Sequence, residues 1–172
     1  MNRIRSIPLA LFLLAGVVMI VVSGCDSEQD KIDNYRDRVG PAYEDARGAQ
    51  DAFNNSLIQN INIDSAITSA VDSLEVVSAR ASKFQGSARI LISVLRSKKP
   101  PDRCAIYNSI LVDLMEAYSS SVDLVIEELD ALSDGVIGSP EDSELEAIRL
   151  EEEINLLVSQ IPNAEIACFD IE

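Results

Sequence analysis

The 172-residue sequence contains no histidine. That absence removes Ser-His-Asp and Cys-His catalysis, haem held by histidine, the Glu-x-x-His di-iron motif of helical bundles and nearly every catalytic zinc site. Tryptophan is missing too, and aromatic residues make up only 5% of the chain. No glycine-rich phosphate loop occurs, nor a calcium loop of the Asp-x-Asp-x-Asp-Gly kind, so both of those ligand classes lose their usual motif. Positive charge is scarce, with 14 Lys and Arg against 29 Asp and Glu. Nucleic acid is therefore not an expected partner, since binding it needs a basic footprint. No catalytic residues, metal ligands or cofactor are assigned, and a non-enzymatic protein is expected.

The opening segment has a different composition from everything after it. Arg3 and Arg5 form a short positive head, and an uncharged apolar run of 16 residues follows from Ile7 to Val22. Ser23-Gly24-Cys25 comes next, and the chain turns acidic at Asp26. A charged head, an apolar middle and small closing residues are the layout of a secretory signal. An uncleaved membrane-spanning helix is the competing reading, although a span needs about 20 apolar residues and Pro8 stands near the start of this run.

Val22-Ser23-Gly24-Cys25 resembles the lipobox of bacterial lipoprotein precursors, in which an aliphatic residue and two small ones precede a cysteine. The resemblance covers only the precursor segment. It implies cleavage between Gly24 and Cys25, diacylglycerol on the Cys25 sulfur and acylation of the new amino terminus. Two or three acyl chains make membrane attachment durable where one leaves it marginal. The chain is then expected in the cell envelope, held to the extracytoplasmic face of a membrane. Asp26 beside the cysteine resembles the signal that retains such proteins on the periplasmic side of the inner membrane.

On this reading residues 1–24 are a signal peptide, 25–30 a lipidated terminus with a short tether, and 31–172 one domain. Beyond residue 25 lie 12 basic and 29 acidic residues, a net charge of −17, which favours solubility and repels anionic surfaces. Two cysteines remain there, Cys104 and Cys168. In an oxidising exported setting a lone pair reads as a disulfide, with free thiols as the alternative.

The domain reads as all-α. Apolar or small residues recur at alternating steps of three and four in four stripes. The first runs Ile32, Tyr35, Val39, Ala42, Ala46, Ala49, Phe53, Leu57, and the second Ile67, Ala70, Leu74, Val77, Ala81, Phe84, Ala88, Leu91, Leu95. The third runs Tyr107, Leu111, Leu114, Tyr118, Val122, Val125, Leu129, Leu132, Val136, and the fourth is Ala147, Leu150, Ile154, Leu157, Ile161. Such spacing keeps one helix face apolar, and a sustained heptad favours coiled-coil-like packing. The predicted helices span about 31–60, 64–98, 102–135 and 140–161, followed by a non-helical tail. Their boundaries are Asp64 as a cap, Lys98-Lys99-Pro100-Pro101 as a stop, Gly135 and Gly138 as breakers, and Ser139-Pro140 as a start. Gly40-Pro41 predicts a kink or short break in the first helix. Short loops make the fold an elongated antiparallel up-down four-helix bundle. The alanines imply close approach of the first two helices, and an extended tail from residue 161 is needed to bring Cys168 back to Cys104.

Charged features are read against the ordinary alternative of a solvated helix face. Asp113, Glu116, Ser120, Asp123, Glu127, Asp130 and Asp134 form one stripe of the third helix, and Glu151-Glu152-Glu153 cluster on the fourth. Both read as solvated. Glu127 and Glu128, as neighbours on a helix, point apart and make no acid–base pair. Seven of the 12 basic residues lie between Arg80 and Arg103. In the up-down order the Arg96-Lys98-Lys99-Arg103 turn returns to the end nearest Cys25, where it either helps seat the bundle on anionic lipid or serves as helix-end charge and ion pairing. The functional expectation is a tethered scaffold or interaction module for an envelope protein. The alternative is a sensor-like bundle that binds a ligand or a divalent cation.

Overall fold

The computed structural model describes residues 27–60, 67–133 and 141–169. They form α1 (Glu28–Asn60), α2 (Ile67–Ser97), a 3-10 turn (Asp102–Cys104), α3 (Ala105–Ser133) and α4 (Glu141–Phe169). No strand occurs among the described residues. The signal segment with Cys25, the Asp64 cap and the Gly135–Pro140 boundary lie outside them. No helix among the described residues is long and apolar enough to cross a membrane.

Polar cross-links fix the helix directions. Ser87 of α2 donates to Asp45 of α1, Gln85 of α2 to Asp123 of α3, and Arg96 of α2 to Glu116 of α3. Between the last two pairs the number rises on α2 and falls on α3, as antiparallel neighbours require. Cys104 at the start of α3 meets Cys168 at the end of α4, so that pair is antiparallel as well. The fold is an all-α four-helix bundle, and the packing follows chain order: α1 on α2, α2 on α3, α3 on α4.

The interior follows the predicted seam, except that Ala147 of α4 is exposed, and the side chains of Ile67, Ala70, Leu132 and Val136 lie outside those described. Ile32, Tyr35, Val39, Ala46, Ala49 and Phe53 of α1 are buried against Val77, Ala81, Phe84, Ala88, Leu91 and Leu95 of α2. Burial of each large apolar side chain stabilises by about 1.5–3 kcal/mol. Ala46, Ala81 and Ala88 have no exposed surface, and their small side chains let α1 and α2 share the most extensive helix–helix interface among the described residues. α3 buries more than its predicted stripe. Ile110, Val112, Met115 and Ala117 are buried beside Tyr107, Leu111, Leu114 and Val122, because α3 lies between two helices and must present an apolar arc to both.

Three expectations need correction. α1 begins at Glu28, within the segment read as a tether. The Ser27 hydroxyl accepts from the Asp30 amide at 3.1 Å and the Ser27 amide donates to the Asp30 carboxylate at 2.9 Å. This is a reciprocal cap with aspartate in the place where glutamate is usual. Of the kink or short break expected at Gly40-Pro41, the break does not occur, since α1 is helical through both residues. Residues 161–168 are helical, and α4 extends over 29 residues with Pro162 inside it. One proline removes a single backbone hydrogen bond and costs about 3 kcal/mol. Ala164 and Cys168 are buried and Ile161 half-buried, so the continued seam offsets that cost. α3 and α4 are each about 44 Å long. Cys168 thus returns to Cys104 by helix alone, with no extended tail.

Candidate functional site at the disulfide-bonded end

One end of the bundle gathers the first turns of α1, the α2–α3 connection and the last turn of α4. Its fixed point is the Cys104–Cys168 disulfide, with Cα atoms 4.3 Å apart and both residues fully buried. Phe169 lies next to it. The ring packs edge-on to Tyr107 at 5.5 Å and tilted against Tyr35 at 6.3 Å, and the Arg36 guanidinium stands over its face at 4.6 Å. Tyr35 also donates its hydroxyl to the side-chain Oδ1 of Asn108 on α3 at 3.1 Å. Burial pushes the Tyr35 phenol up to about 12 and raises those of Tyr107 and Tyr43, because the phenolate would have to form away from water.

The predicted basic turn lies at this end, and its four members differ in their engagements. Arg96 pairs with Glu116 of α3 at 2.7 Å, and Lys99 pairs with Asp102 at 2.9 Å. Arg103 donates from Nε to the Ala167 carbonyl at 3.2 Å, satisfying a carbonyl in the last turn of α4. Lys98 is exposed and makes no ion pair with a described residue. The Lys99–Asp102 pair lowers the Asp102 pKa and raises that of Lys99 by a direct hydrogen bond, but in so exposed a place it stabilises little.

Sequence reasoning missed the opposite wall of this region. A hollow of about 260 Å³ opens between α1 and the turn, lined by Lys31, Asn34, Tyr35 and Arg38 on one side and residues 98–101 on the other. Lys31 and Arg38 are seven residues apart, which puts them on one helix face. That spacing was the available signal. Arg38 rests its guanidinium 5.6 Å from the centre of the Tyr35 ring. Its Nη1 is buried and meets no hydrogen-bond acceptor.

The acidic features face solvent. Asp113, Glu116, Ser120, Asp123, Glu127 and Asp130 are all exposed, as are Glu128, Glu151 and Glu152. Asp134 lies outside the described residues. Glu153 accepts from Arg149 at 3.0 Å. No group of three or more acidic, cysteine or histidine side chains among the described residues is arranged to hold a metal. Comparison with protein-family models, curated proteins and solved structures returns no match.

The outer face of α4 is unusual in a different way. Leu145, Ile148, Leu156 and Ile166 are each about half or more exposed. They fall on one helix face, opposite Leu150, Ile161, Ala164 and Cys168, which turn inward. Exposed Glu152 lies on the same face between Ile148 and Leu156, and exposed Glu144 and Glu151 follow one side of it.

Proposed function

We propose that this chain is a non-enzymatic envelope lipoprotein, held to the extracytoplasmic face of a membrane by acyl chains on Cys25. Its bundle presents a docking face to an envelope protein partner. The observation that carries the reading is Val22-Ser23-Gly24-Cys25 closing an uncharged apolar run. The early start of α1 supports it. Only two residues separate Cys25 from Glu28, so the acyl chains would hold the disulfide-bonded end close to the bilayer with little slack. The α4 face supports the interaction role, because exposed aliphatic side chains recur on one side of the helix. The carboxylates of Glu144, Glu151 and Glu152 beside and among them suit a partner that carries lysine or arginine.

Two measurements test the two halves. The full chain, expressed in a bacterial host fed labelled palmitate, is expected to take up label and enter the detergent phase on partitioning. Cys25→Ser should do neither and keep its leader, with a corresponding increase in mass. Equal labelling and processing of both would overturn the anchor. For the docking face, a photoreactive residue at Leu156 should give a discrete crosslinked protein in native membranes, and one at Asp113 should not. Identical products from the two positions would refute a specific face on α4.

A further inference from the structure

We infer that the hollow between α1 and the α2–α3 turn is a phosphate-recognising site that seats the headgroup of an anionic phospholipid. The inference rests on the anchored reading above and assigns a ligand to the end that would face the bilayer.

The charges lining the hollow set it apart from the rest of the surface. This chain carries about twice as many acidic as basic residues, yet Lys31, Arg38, Lys98 and Lys99 line the hollow and no carboxylate does. Two of the four are engaged at its edge, Lys31 with Glu28 at 3.6 Å and Lys99 with Asp102. Arg38 and Lys98 have no carboxylate partner among the described residues. In so acidic a chain, an uncompensated pair of cations facing one hollow is the reverse of what composition would supply.

Arg38 identifies the ligand class. Its guanidinium lines the hollow, rests against the Tyr35 ring and has no carboxylate beside it. The group that matches such a planar fork of N–H donors is an oxyanion, for which phosphate and carboxylate are the two candidates. Lys98 adds a point charge from across the hollow and Asn34 a neutral amide donor. Pro100 and Pro101 close the far wall without any backbone N–H. A volume of about 260 Å³ leaves space for a phosphodiester together with its glycerol. Lys31 lies in the first turn of α1, so the site begins where the acyl chains on Cys25 would end. A bilayer phosphodiester reaches it there without leaving the membrane surface.

The experiment uses the full chain purified in nonionic detergent, with thermal unfolding as the readout. Short-chain phosphatidylglycerol should raise the midpoint by several degrees, while short-chain phosphatidylcholine and inorganic phosphate at equal concentration should do so weakly. Arg38→Gln should weaken phosphatidylglycerol binding about ten-fold, the loss of one charge-assisted contact. Lys98→Gln lies on an exposed turn, does not threaten folding, and should weaken it by about the same factor. Lys83→Gln, which removes the same charge elsewhere on α2, should leave binding unchanged. Equal loss in all three variants would reduce the effect to diffuse charge and overturn the site. Inorganic phosphate binding as tightly as the lipid would overturn the headgroup assignment. Failure of the palmitate labelling with lipid binding intact would remove the anchor alone, whereas labelled protein that ignores phosphatidylglycerol would remove this inference alone.

Discussion

Removing the Cys104–Cys168 bond is expected to cost about 4 kcal/mol of stability. The cysteines are 64 residues apart, and the chain-entropy model gives a loop of that size about this value at 25 °C. Placement adds to the expectation. α4 packs mainly on α3, and the outer face it turns to solvent is partly aliphatic. What ties its C-terminal turn to the rest is the disulfide, the Arg103–Ala167 hydrogen bond and Phe169 between Tyr35 and Tyr107. Cys104→Ala with Cys168→Ala is the better variant, since both positions are fully buried and serine would bury two hydroxyls. Its thermal midpoint should fall by roughly 8–16 °C for a domain of this size. Amide exchange should rise first in residues 160–169, ahead of α2 and α3. The slope of a denaturant curve should also steepen, because the uncrosslinked unfolded chain exposes more surface. A loss under about 1 kcal/mol would show that residual structure, and not loop entropy, governs the unfolded state.

The same end of the molecule shows how far the sequence could be read. Spacing found most of the inward face of the helices, because heptad steps survive even where the backbone signals mislead, although Ala147 at the head of the fourth stripe is exposed. The fourth predicted helix ends at 161, yet Leu157, Ile161, Ala164 and Cys168 keep steps of four, three and four across Pro162. Burial along that line outweighed the local cost of the proline. Gly40-Pro41 in α1 is the same conflict with the same outcome. A pattern of one stripe per helix was too narrow for α3, whose buried Val112 and Ala117 lie off the Tyr107–Val122 line because it has neighbours on two sides. The Cys104–Cys168 pairing was legible from the count of two cysteines beyond residue 25 and the oxidising setting expected for them. The hollow was not, because it depends on how α1 crosses the 98–101 turn, a tertiary relation that joins residues about 60 positions apart. The α2–α3 basic cluster was visible as composition, and its separation into the engaged Arg96, Lys99 and Arg103 and the exposed Lys98 required coordinates.

Phe84→Ala is expected to destabilise the bundle by about 3–5 kcal/mol, the range for deleting a fully buried aromatic ring. Phe84 has no exposed surface and meets Tyr118 of α3 edge-on at 6.3 Å between ring centres. It lies on the α2 seam between Ala81 and Ala88. The alanines above and below it on α2 are too short to fill the cavity, so the cost should fall toward the upper end. The edge-to-face contact with Tyr118 would be lost as well, a further contribution of about 0.5–1.5 kcal/mol beyond area. Ile90→Ala supplies the control. Ile90 is on the same helix, of similar hydrophobicity, and 59% exposed, so its truncation should shift stability by no more than about 0.5 kcal/mol. The contrast between the two variants, read from chemical denaturation midpoints at constant slope, tests the rotational register of α2. A rotation of α2 by one position would move Phe84 toward the surface and shrink its cost. Comparable losses at the two positions would mean that α2 packs on a different face from the one that aligns Leu91, Leu95 and the disulfide-bonded end.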